Sequence, residues 1–328
     1  MSGPDDDRLA RELALEEIVL GAPRGYSRAD VAEIAGLDLE EARRLWRALG
    51  FAEVPDDARV FTARDLDAAR ALARLIELGL FPQEVREAVA RAIAQALARL
   101  TVWQVGLLGR LFEAQGPEVG RESAAAVAAD VVPVLEELQS FVWRRHLAAT
   151  LRRFAASDAA DETPPLVVGF ADMVGFTRAT RRRSWAELGE MIERFSAATT
   201  DVITAGHGRI VKTVGDEVLF VADEAAQAAA VALALAERVA AEPPLPELRI
   251  GLAAGPVLVR FGDVYGEVVN IAARLRAQAR PGTVLVDRAV ATALADDPRF
   301  ALQRLRPVAV RGYPHLHPWL LQRGGGGA

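Results

Sequence analysis

The chain has 328 residues, of which 51% are hydrophobic and 26% are charged, and its formal net charge is -6 at pH 7. This composition is typical of a globular protein with a sizeable core, and the length indicates two domains. The chain contains no cysteine, which excludes a disulfide framework, a thiolate metal site and a cysteine nucleophile.

The first residues, Met1 to Asp7, are acidic where a signal peptide would be basic and then apolar. No uninterrupted apolar run approaches the ~18 to 20 residues that span a bilayer. We therefore expect a cytoplasmic protein without a membrane span. The negative net charge gives no general attraction to nucleic acid or anionic lipid.

Residues 8 to 156 show the helical period, with apolar residues every three or four positions and no alternation with period two. The last predicted helix runs from Val131 to about Ala156. An acidic stretch over 157–165 ends in two prolines, which cannot continue a helix and so indicate a linker. We therefore predict an all-α first domain over 1–156.

The second domain is predicted over 166–323, followed by a flexible glycine-rich tail over 324–328. Its pattern mixes strands and helices, with strands at 166–171, 208–214, 217–222, 248–254 and 283–286, and helices at 184–205, 223–242 and 269–279. Ser184 and Glu187 form a capping box, and Asp223 is the predicted cap of the next helix. The order β-α-β-β-α-β predicts a ferredoxin-like, palm-like α+β fold.

Two carboxylates are placed by turns in this second domain. Asp172 ends an apolar strand just before a glycine turn, and Asp216 lies in the turn of a predicted hairpin. Either residue alone would be most typical of an ordinary turn. Together they can hold divalent ions beside a loop that faces phosphates.

Other side chains suit a nucleotide site. Lys212 lies four residues before Asp216 on a short ribbon, and Asp263 follows further along the chain. Asn270 and Arg274 are spaced i, i+4 on a predicted helix, which places an amide and a guanidinium on one face. A guanidinium there can stabilise charge that develops on a phosphoryl group.

With these residues in place, the stretch from Val167 to Leu321 resembles the class III nucleotidyl cyclases. The resemblance assigns metal binding to Asp172 and Asp216, adenine selection to Lys212 and Asp263, and transition-state stabilisation to Asn270 and Arg274. Further predicted substrate contacts are Phe176, which ends the first motif, and Arg311, which matches a basic triphosphate contact.

The resemblance implies that two Mg²⁺ or Mn²⁺ ions per site help to convert ATP into 3',5'-cyclic AMP and pyrophosphate. It also implies a head-to-tail homodimer, in which metals come from one chain and the other residues from its partner. The segment between Val257 and Asp263 has only five residues, which is shorter than the usual arm and is similar to a subset of bacterial cyclases.

Residues 26 to about 90 resemble the helix-turn-helix of MerR-type regulators. The second helix would begin with Asp38, Glu40 and Glu41, which repel phosphate, so nucleic acid is not an expected partner. The whole helical half also resembles the regulatory domain of actinobacterial cyclases, which holds the catalytic dimer inactive until a signal such as acidification arrives. His146, beside Arg144 and Arg145, is a candidate pH sensor. A small molecule or lipid in the helical core is another candidate signal.

Three alternatives stay open on the sequence. The run Val214 to Val218 is near the Gly-Gly-Asp-Glu-Phe turn of diguanylate cyclases, which share a palm-like fold. A guanylate cyclase would need a different base-selecting pair. The third alternative is a DNA-binding or ligand-sensing regulator with a degenerate cyclase domain.

Overall fold

The computed structural model describes residues 15–115, 121–156, 165–243, 245–310 and 312–325. The chain divides into two compact units, Met1–Ala159 and Ala160–Ala328. Almost all of the predicted linker and the end of the predicted tail lie outside the described residues. Within the described ranges, no helix has the length and apolar character needed to cross a membrane.

The first unit is helical, as predicted. Its elements are α1 (15–20), β1 (Arg24–Tyr26), α2 (Arg28–Ala35), α3 (Leu39–Ala48), β2 (Phe61–Thr62), α4 (Ala63–Glu77), α5 (Gln83–Gln115) and α6 (Arg121–Ala156). The prediction that this half contains helices alone was wrong in one respect, because β1 and β2 pair antiparallel. Strands of two and three residues are too short to produce a visible alternation.

Helix α6 begins about ten residues before the predicted start and runs through Pro133. A proline inside a helix removes one backbone hydrogen bond, and the 36-residue length of α6 leaves the other bonds of the helix in place.

The second unit contains the remaining elements: β3 (Pro165–Met173), α7 (Phe176–Ala179), α8 (Trp185–Ala205), β4 (Arg209–Val214), β5 (Glu217–Ala222), α9 (Ala225–Ala240), β6 (Leu248–Pro256), β7 (Leu258–Arg260), β8 (Asp263–Tyr265), α10 (Glu267–Gln278), β9 (Thr283–Val286), α11 (Arg288–Ala293), β10 (Phe300–Arg304), β11 (Val308–Val310), β12 (Tyr313–Leu316) and β13 (Trp319–Arg323). The capping box of Ser184 and Glu187 is present at the start of α8. The predicted cap at Asp223 was wrong, because Glu224 is the N-cap of α9 and Asp223 instead accepts hydrogen bonds from Arg209.

The main sheet has seven strands in the order β10-β13-β9-β6-β3-β5-β4. The last four strands of this order, β6-β3-β5-β4, pair antiparallel and come from the unit β3-α8-β4-β5-α9-β6, with β4 at the edge of the sheet. This is the strand arrangement of a ferredoxin-like fold, so the predicted α+β class is confirmed. Strand β9 then extends the sheet beside β6 in parallel.

Both faces of the sheet are covered. Residues Val167, Ala171, Ile250 and Leu252 belong to the core cluster that includes α8, α9 and α11. The residues that alternate with them, such as Val168 and Phe170, pack with α10. Because side chains alternate across a strand, Asp172 lies on the α10 face of the sheet.

Helix α10 lies very close to strand β6. A Cβ atom added at Gly251 would overlap the backbone of Ala272 and Arg276. Ala272 is 0% exposed, so this side of α10 is fully covered by the sheet. The absence of a side chain at Gly251 therefore sets the height of α10 above the sheet.

Gly251→Ala should lower the free energy of unfolding by about 1 to 3 kcal/mol, because overpacking against backbone cannot be relieved by a rotamer change. Urea unfolding of the full chain, followed by circular dichroism, measures this loss. Gly189→Ala is the matched control, since Gly189 lies within α8 and an added Cβ meets nothing within 4 Å. The control should gain roughly 0.5 to 1 kcal/mol from helix propensity. Equal effects of the two changes would contradict the close seating of α10.

Candidate active site

Three charged residues lie in one row across the α10 face of the sheet. Asp172 near the end of β3 is directly opposite Glu217 on β5 and directly opposite Arg249 on β6. Residues opposite each other on neighbouring strands have side chains close enough to interact. The row therefore places two carboxylates and one guanidinium side by side at the same edge.

Asp216 is held next to this row by the chain itself. It lies in the tight turn between β4 and β5, where Gly215 has a φ of 61°. The backbone N–H of Met173 donates to the carbonyl oxygen of Asp216 at 3.0 Å. The two predicted metal ligands, Asp172 and Asp216, are thus brought together.

Arg276 of α10 reaches into the same row. Its Nη1 donates to Oδ2 of Asp172 at 3.4 Å, and its Nη2 forms an ion pair with Oε2 of Glu217. The guanidinium therefore bridges the carboxylates of two neighbouring strands.

The surroundings of Asp172 and Glu217 raise the pKa values of both carboxyl groups. Burial raises the pKa of Asp172, the Arg276 charge opposes that rise, and the nearby Asp216 adds to it. Burial likewise raises the pKa of Glu217, again opposed by Arg276 and increased by Asp172 and Asp216. Desolvation and crowding of negative charge thus outweigh the arginine at both positions.

The chemistry of this edge suits a hard divalent cation. Carboxylate oxygens are the ligands that Mg²⁺ and Mn²⁺ prefer, and Mg²⁺ is commonly held by one or two carboxylates together with substrate phosphates. Within the described part of the chain, no group of three or more His, Cys, Asp or Glu side chains has the geometry to hold a metal. Asp172 and Asp216 therefore fit an ion whose remaining ligands come from substrate and water.

Lys212 reaches the α10 face because of an irregularity in β4. Ile210 is opposite Phe220 and Lys212 is opposite Leu219, so the register shifts by one residue between them. A one-residue shift moves a side chain to the other face of a sheet. Without it, Lys212 would lie on the same face as Ile210, which packs against the other core cluster.

Asp263 is positioned by the short segment that the sequence shows before it. Strands β7 and β8 form a hairpin in which Arg260 is opposite Asp263. The two turn residues, Phe261 and Gly262, have φ values of 51° and 79°. Positive φ at both positions is what a two-residue hairpin turn of type I′ requires. The shortened arm is thus a complete hairpin, and Asp263 is the first residue after its turn.

The hairpin brings Asp263 to Lys212. Nζ of Lys212 donates to Oδ2 of Asp263, and the backbone N–H of Val264 donates to Oδ1 at 2.9 Å. The predicted base-selecting residues are therefore in direct contact, although 51 positions separate them in the sequence.

Asn270 and Arg274 lie on a different face of α10. Both are about 160° around the helix from Ala272, whose side meets the sheet. Asn270 is exposed, whereas Ala272 is fully buried. Within one chain, the Asn270 and Arg274 pair therefore points away from the row that contains Asp172.

Several arginines retain unused donors. The buried Nε atoms of Arg249, Arg274 and Arg276 have no hydrogen-bond partner among the described residues. Buried donors normally find acceptors, and although Arg24 and Arg28 of the first unit also have such donors, those of Arg249, Arg274 and Arg276 are available to a bound group. Phosphate oxygens are the acceptors that best match a guanidinium.

The other predicted site residues are spread more widely. Phe176 packs against the larger core cluster, and its predicted substrate contact stays a prediction. Arg311 lies outside the described residues. His146 is exposed on α6 in the first unit.

Sequence reasoning missed Glu217, Arg249 and Arg276. Arg249 and Arg276 could have been detected, because each is a charged residue at a position where strand alternation or helical spacing predicts an apolar one. Arg249 shares the face of Gly251 and Ala253 on β6, and Arg276 continues the α10 stripe of Val268, Ala272, Leu275 and Ala279. Glu217 lies next to Asp216 and was considered only as part of a diguanylate cyclase motif.

The chain matches two known families along most of its length. The adenylate and guanylate cyclase catalytic domain matches residues 159–323. The adenylate cyclase regulatory domain matches residues 7–147. The chain therefore belongs to the adenylate and guanylate cyclases.

Individual relatives agree with this assignment. An adenylate cyclase of Streptomyces coelicolor is 42% identical over 356 residues, covering 99% of this chain and 93% of the relative. An adenylate cyclase of Glutamicibacter nicotianae is 36% identical over 95% of this chain and 82% of its own length. A pH-sensitive adenylate cyclase of Mycobacterium tuberculosis is 34% identical over 90% of this chain and 77% of its own length. The resemblance to MerR-type regulators stays a prediction.

Asp172→Asn should leave the protein at least as stable as the wild type at about pH 7. A carboxyl group whose pKa is raised by folding makes the native state less stable as the pH rises through that value, and the amide removes this effect. The advantage of the variant should shrink as the pH falls below the raised pKa. Melting temperatures of both proteins across the acidic to neutral range measure it.

Asp297→Asn provides a control of opposite sign, because hydrogen bonds from Arg299 lower the pKa of Asp297. Its ionised form stabilises the fold above the unfolded pKa, and that contribution disappears as the pH falls through the lowered pKa. An Asp172→Asn variant that is less stable than the wild type by the same margin at every pH would contradict the account.

Proposed function

We propose that this protein is a regulated adenylate cyclase, which converts ATP to 3',5'-cyclic AMP and pyrophosphate at a site shared between two copies of the chain. The observation that carries the choice of ATP is the contact between Lys212 and Asp263. Adenine presents an acceptor at N1 and a donor at N6, which an ammonium and a carboxylate complement. Guanine presents the inverse pattern, so the same pair disfavours GTP.

The reaction is an intramolecular phosphoryl transfer. The ribose 3'-oxygen forms a bond to the α-phosphorus, the bond from that phosphorus to the bridging oxygen breaks, pyrophosphate leaves, and the hydroxyl proton is released. Divalent ions, held by Asp172 and Asp216, supply charge neutralisation and a lowered pKa of the attacking hydroxyl when bound. Two ions per site, either Mg²⁺ or Mn²⁺, are part of the proposal.

The protein contributes position and charge. Asn270 orients the ribose, and Arg274 donates to oxygens of the α-phosphate as negative charge develops there. Arg249, beside Asp172, has an unused buried donor that suits the triphosphate, and Arg311 and Phe176 are further proposed substrate contacts. Losing one preorganised donor to the transition state typically costs ~3 to 4 kcal/mol.

The need for two chains is supported by the geometry of α10. The side of the helix that faces Asp172 is separated by about 160° from the side that presents Asn270 and Arg274. A second copy, arranged head to tail, would place its Asn270 and Arg274 opposite Asp172 and Asp216 of the first. Closed twofold symmetry would then create two equivalent sites.

Control by the helical half is also proposed, with residues 1–156 as the regulatory domain, 157–165 as a linker and 166–323 as the catalytic domain. In this proposal the regulatory domain restrains assembly of the catalytic pair until pH or a bound small molecule or lipid releases it. The pH-sensitive relative from Mycobacterium tuberculosis motivates the pH signal. His146, which is exposed on α6, is the residue proposed for this signal. Identical activity profiles against pH for the wild type and His146→Ala would remove this residue from the mechanism.

A DNA-binding function has little support in the second helix of the helix-turn-helix. Its three arginines form ion pairs within the protein, with Arg43 bound to Glu40 and Asp56, Arg44 to Glu87, and Arg47 to Glu53. Asp38 begins the helix by accepting from the N–H of Glu41. Acidic residues thus occupy the end that a DNA reader presents to bases.

The full chain and residues 160–328 should both form cyclic AMP from ATP with Mg²⁺ or Mn²⁺, and the shorter chain should be the more active per catalytic domain. Product analysis by chromatography with ATP, and separately with GTP, measures both claims. Lys212→Ala should lower kcat/KM for ATP by about 10- to 150-fold, the equivalent of losing ~1.5 to 3 kcal/mol from a charged hydrogen bond.

The exchanged variant, Lys212→Asp with Asp263→Lys, is the matched control for folding, because it retains an ion pair while inverting the pattern shown to the base. It should fold normally and lose activity with ATP. Equal use of ATP and GTP by the wild type, or an exchanged variant as active as the wild type with ATP, would contradict adenine selection by this pair.

Asp172→Ala and Asn270→Ala should each be inactive, whereas a mixture of the two should recover activity through one intact hybrid site per dimer. With random pairing, half of the dimers are hybrids with one working site of two, so the mixture approaches about a quarter of wild-type activity. Turnover as a function of mixing ratio measures the recovery. Mixtures that stay inactive although hybrid dimers form would contradict the shared site.

A further inference from the structure

We propose that Arg276 is a built-in counter-ion that competes with the divalent cation for Asp172, and so makes metal binding depend on the nucleotide. The inference rests on the proposed function, because it takes Asp172 and Asp216 as the metal-holding pair. It concerns a residue of α10 that is distinct from Asn270 and Arg274 in both position and direction.

Arg276 contacts two carboxylates in the row of charged residues at the proposed metal site. Its guanidinium donates to Asp172 at 3.4 Å and pairs with Glu217 on the adjacent strand. The side chain of Arg276 is 26% exposed, and those of Asp172 and Glu217 are 19% and 24% exposed. Ionic interactions in such a half-buried place are screened less than at an open surface.

Packing of the α10 backbone against β6 fixes the position of Arg276. The close approach of α10 to Gly251 holds the backbone of Arg276 directly against β6. Its Nε atom is buried and has no partner among the described residues. The guanidinium is therefore held at the row of charges, and a cation entering that row must replace one of its contacts.

The charges of the row explain the direction of the effect. Asp172, Asp216 and Glu217 contribute three negative charges, and Arg249 and Arg276 contribute two positive ones. Without metal or nucleotide, these five residues thus have a net charge of about -1, which attracts a lone divalent ion only weakly. Removing the Arg276 charge would double the net negative charge.

A bound nucleotide changes this balance. Triphosphate oxygens offer the guanidinium alternative acceptors, which frees the Asp172 carboxylate for the metal. The ion and the nucleotide then bind more tightly together than either does alone, and linkage makes the effect equal in both directions. Arg276 thus favours loading of the metal as a nucleotide complex over loading of the free ion.

The test is direct Mn²⁺ binding to the full chain, measured by electron paramagnetic resonance of the free ion, without nucleotide and with 3'-deoxy-ATP, which lacks the attacking hydroxyl. Arg276→Gln should bind Mn²⁺ alone about tenfold more tightly than the wild type. The additional tightening caused by 3'-deoxy-ATP should fall by a similar factor. Both results are independent of turnover.

Two variants separate the role of the Arg276 charge from other effects. Arg276→Lys retains the charge and should bind Mn²⁺ alone as weakly as the wild type. Arg280→Gln removes a positive charge from an exposed residue just after α10 and should also behave as the wild type. A folded Arg276→Gln whose affinity for Mn²⁺ alone is unchanged or weaker overturns the proposal, as does equal tightening in Arg280→Gln.

Asp172→Asn distinguishes this proposal from the metal site on which it rests. If Asp172→Asn binds Mn²⁺ as well as the wild type, the assignment of the metal site fails. If Asp172→Asn loses binding while Arg276→Gln shows no tightening, only the role of Arg276 fails. If circular dichroism shows that Arg276→Gln does not fold, Mn²⁺ binding to the wild type still tests the proposal. Equal Mn²⁺ affinity of the wild type with and without 3'-deoxy-ATP overturns it.

Discussion

The close seating of α10 on β6 is the constraint on which the catalytic unit depends. It exists because Gly251 has no side chain, so the backbone of Ala272 and Arg276 can approach the sheet directly. Once the helix is fixed at this height, its rotation decides which residues face the sheet. Arg276 meets Asp172 and Glu217, and Asn270 and Arg274 face away.

Two consequences of that seating connect packing with chemistry. The carboxylates at the end of β3 and the start of β5 stay in a row despite their mutual repulsion, because Arg276 compensates part of the charge. Asn270 and Arg274, which are proposed to stabilise the transition state, in contrast face away from Asp172 of their own chain. The close seating of α10 thus underlies both the charge compensation around Asp172 and the proposal that the site is shared with a second copy.

Much of this architecture could be predicted from the sequence. The two turn carboxylates, the i, i+4 pair on α10 and the βαββαβ order depend on local patterns, and each is visible in a few residues. The helical character of the first half follows from its period. The positions of Asp172, Lys212, Asp216 and Asp263 in one unit could be expected from the family resemblance that these residues carry.

Other features depend on contacts that a sequence pattern does not encode. The register shift in β4 turns Lys212 to the α10 face, yet no residue from Ile210 to Lys212 signals a shift in the sequence. The bridge from Arg276 to Asp172 joins residues 104 positions apart. The pairing of β1 with β2 depends on strands too short to alternate, and the cap of α9 shifts from Asp223 to Glu224 because Arg209 binds Asp223.

The most direct test of the account is a crystal structure of the full chain with Mn²⁺ and 3'-deoxy-ATP, with the ions located by anomalous scattering. We expect manganese peaks beside Asp172 and Asp216 of one chain. We also expect the same nucleotide to contact Lys212, Asp263, Asn270 and Arg274 of the other chain. A nucleotide bound by all six residues of a single chain, or manganese away from both aspartates, would contradict it.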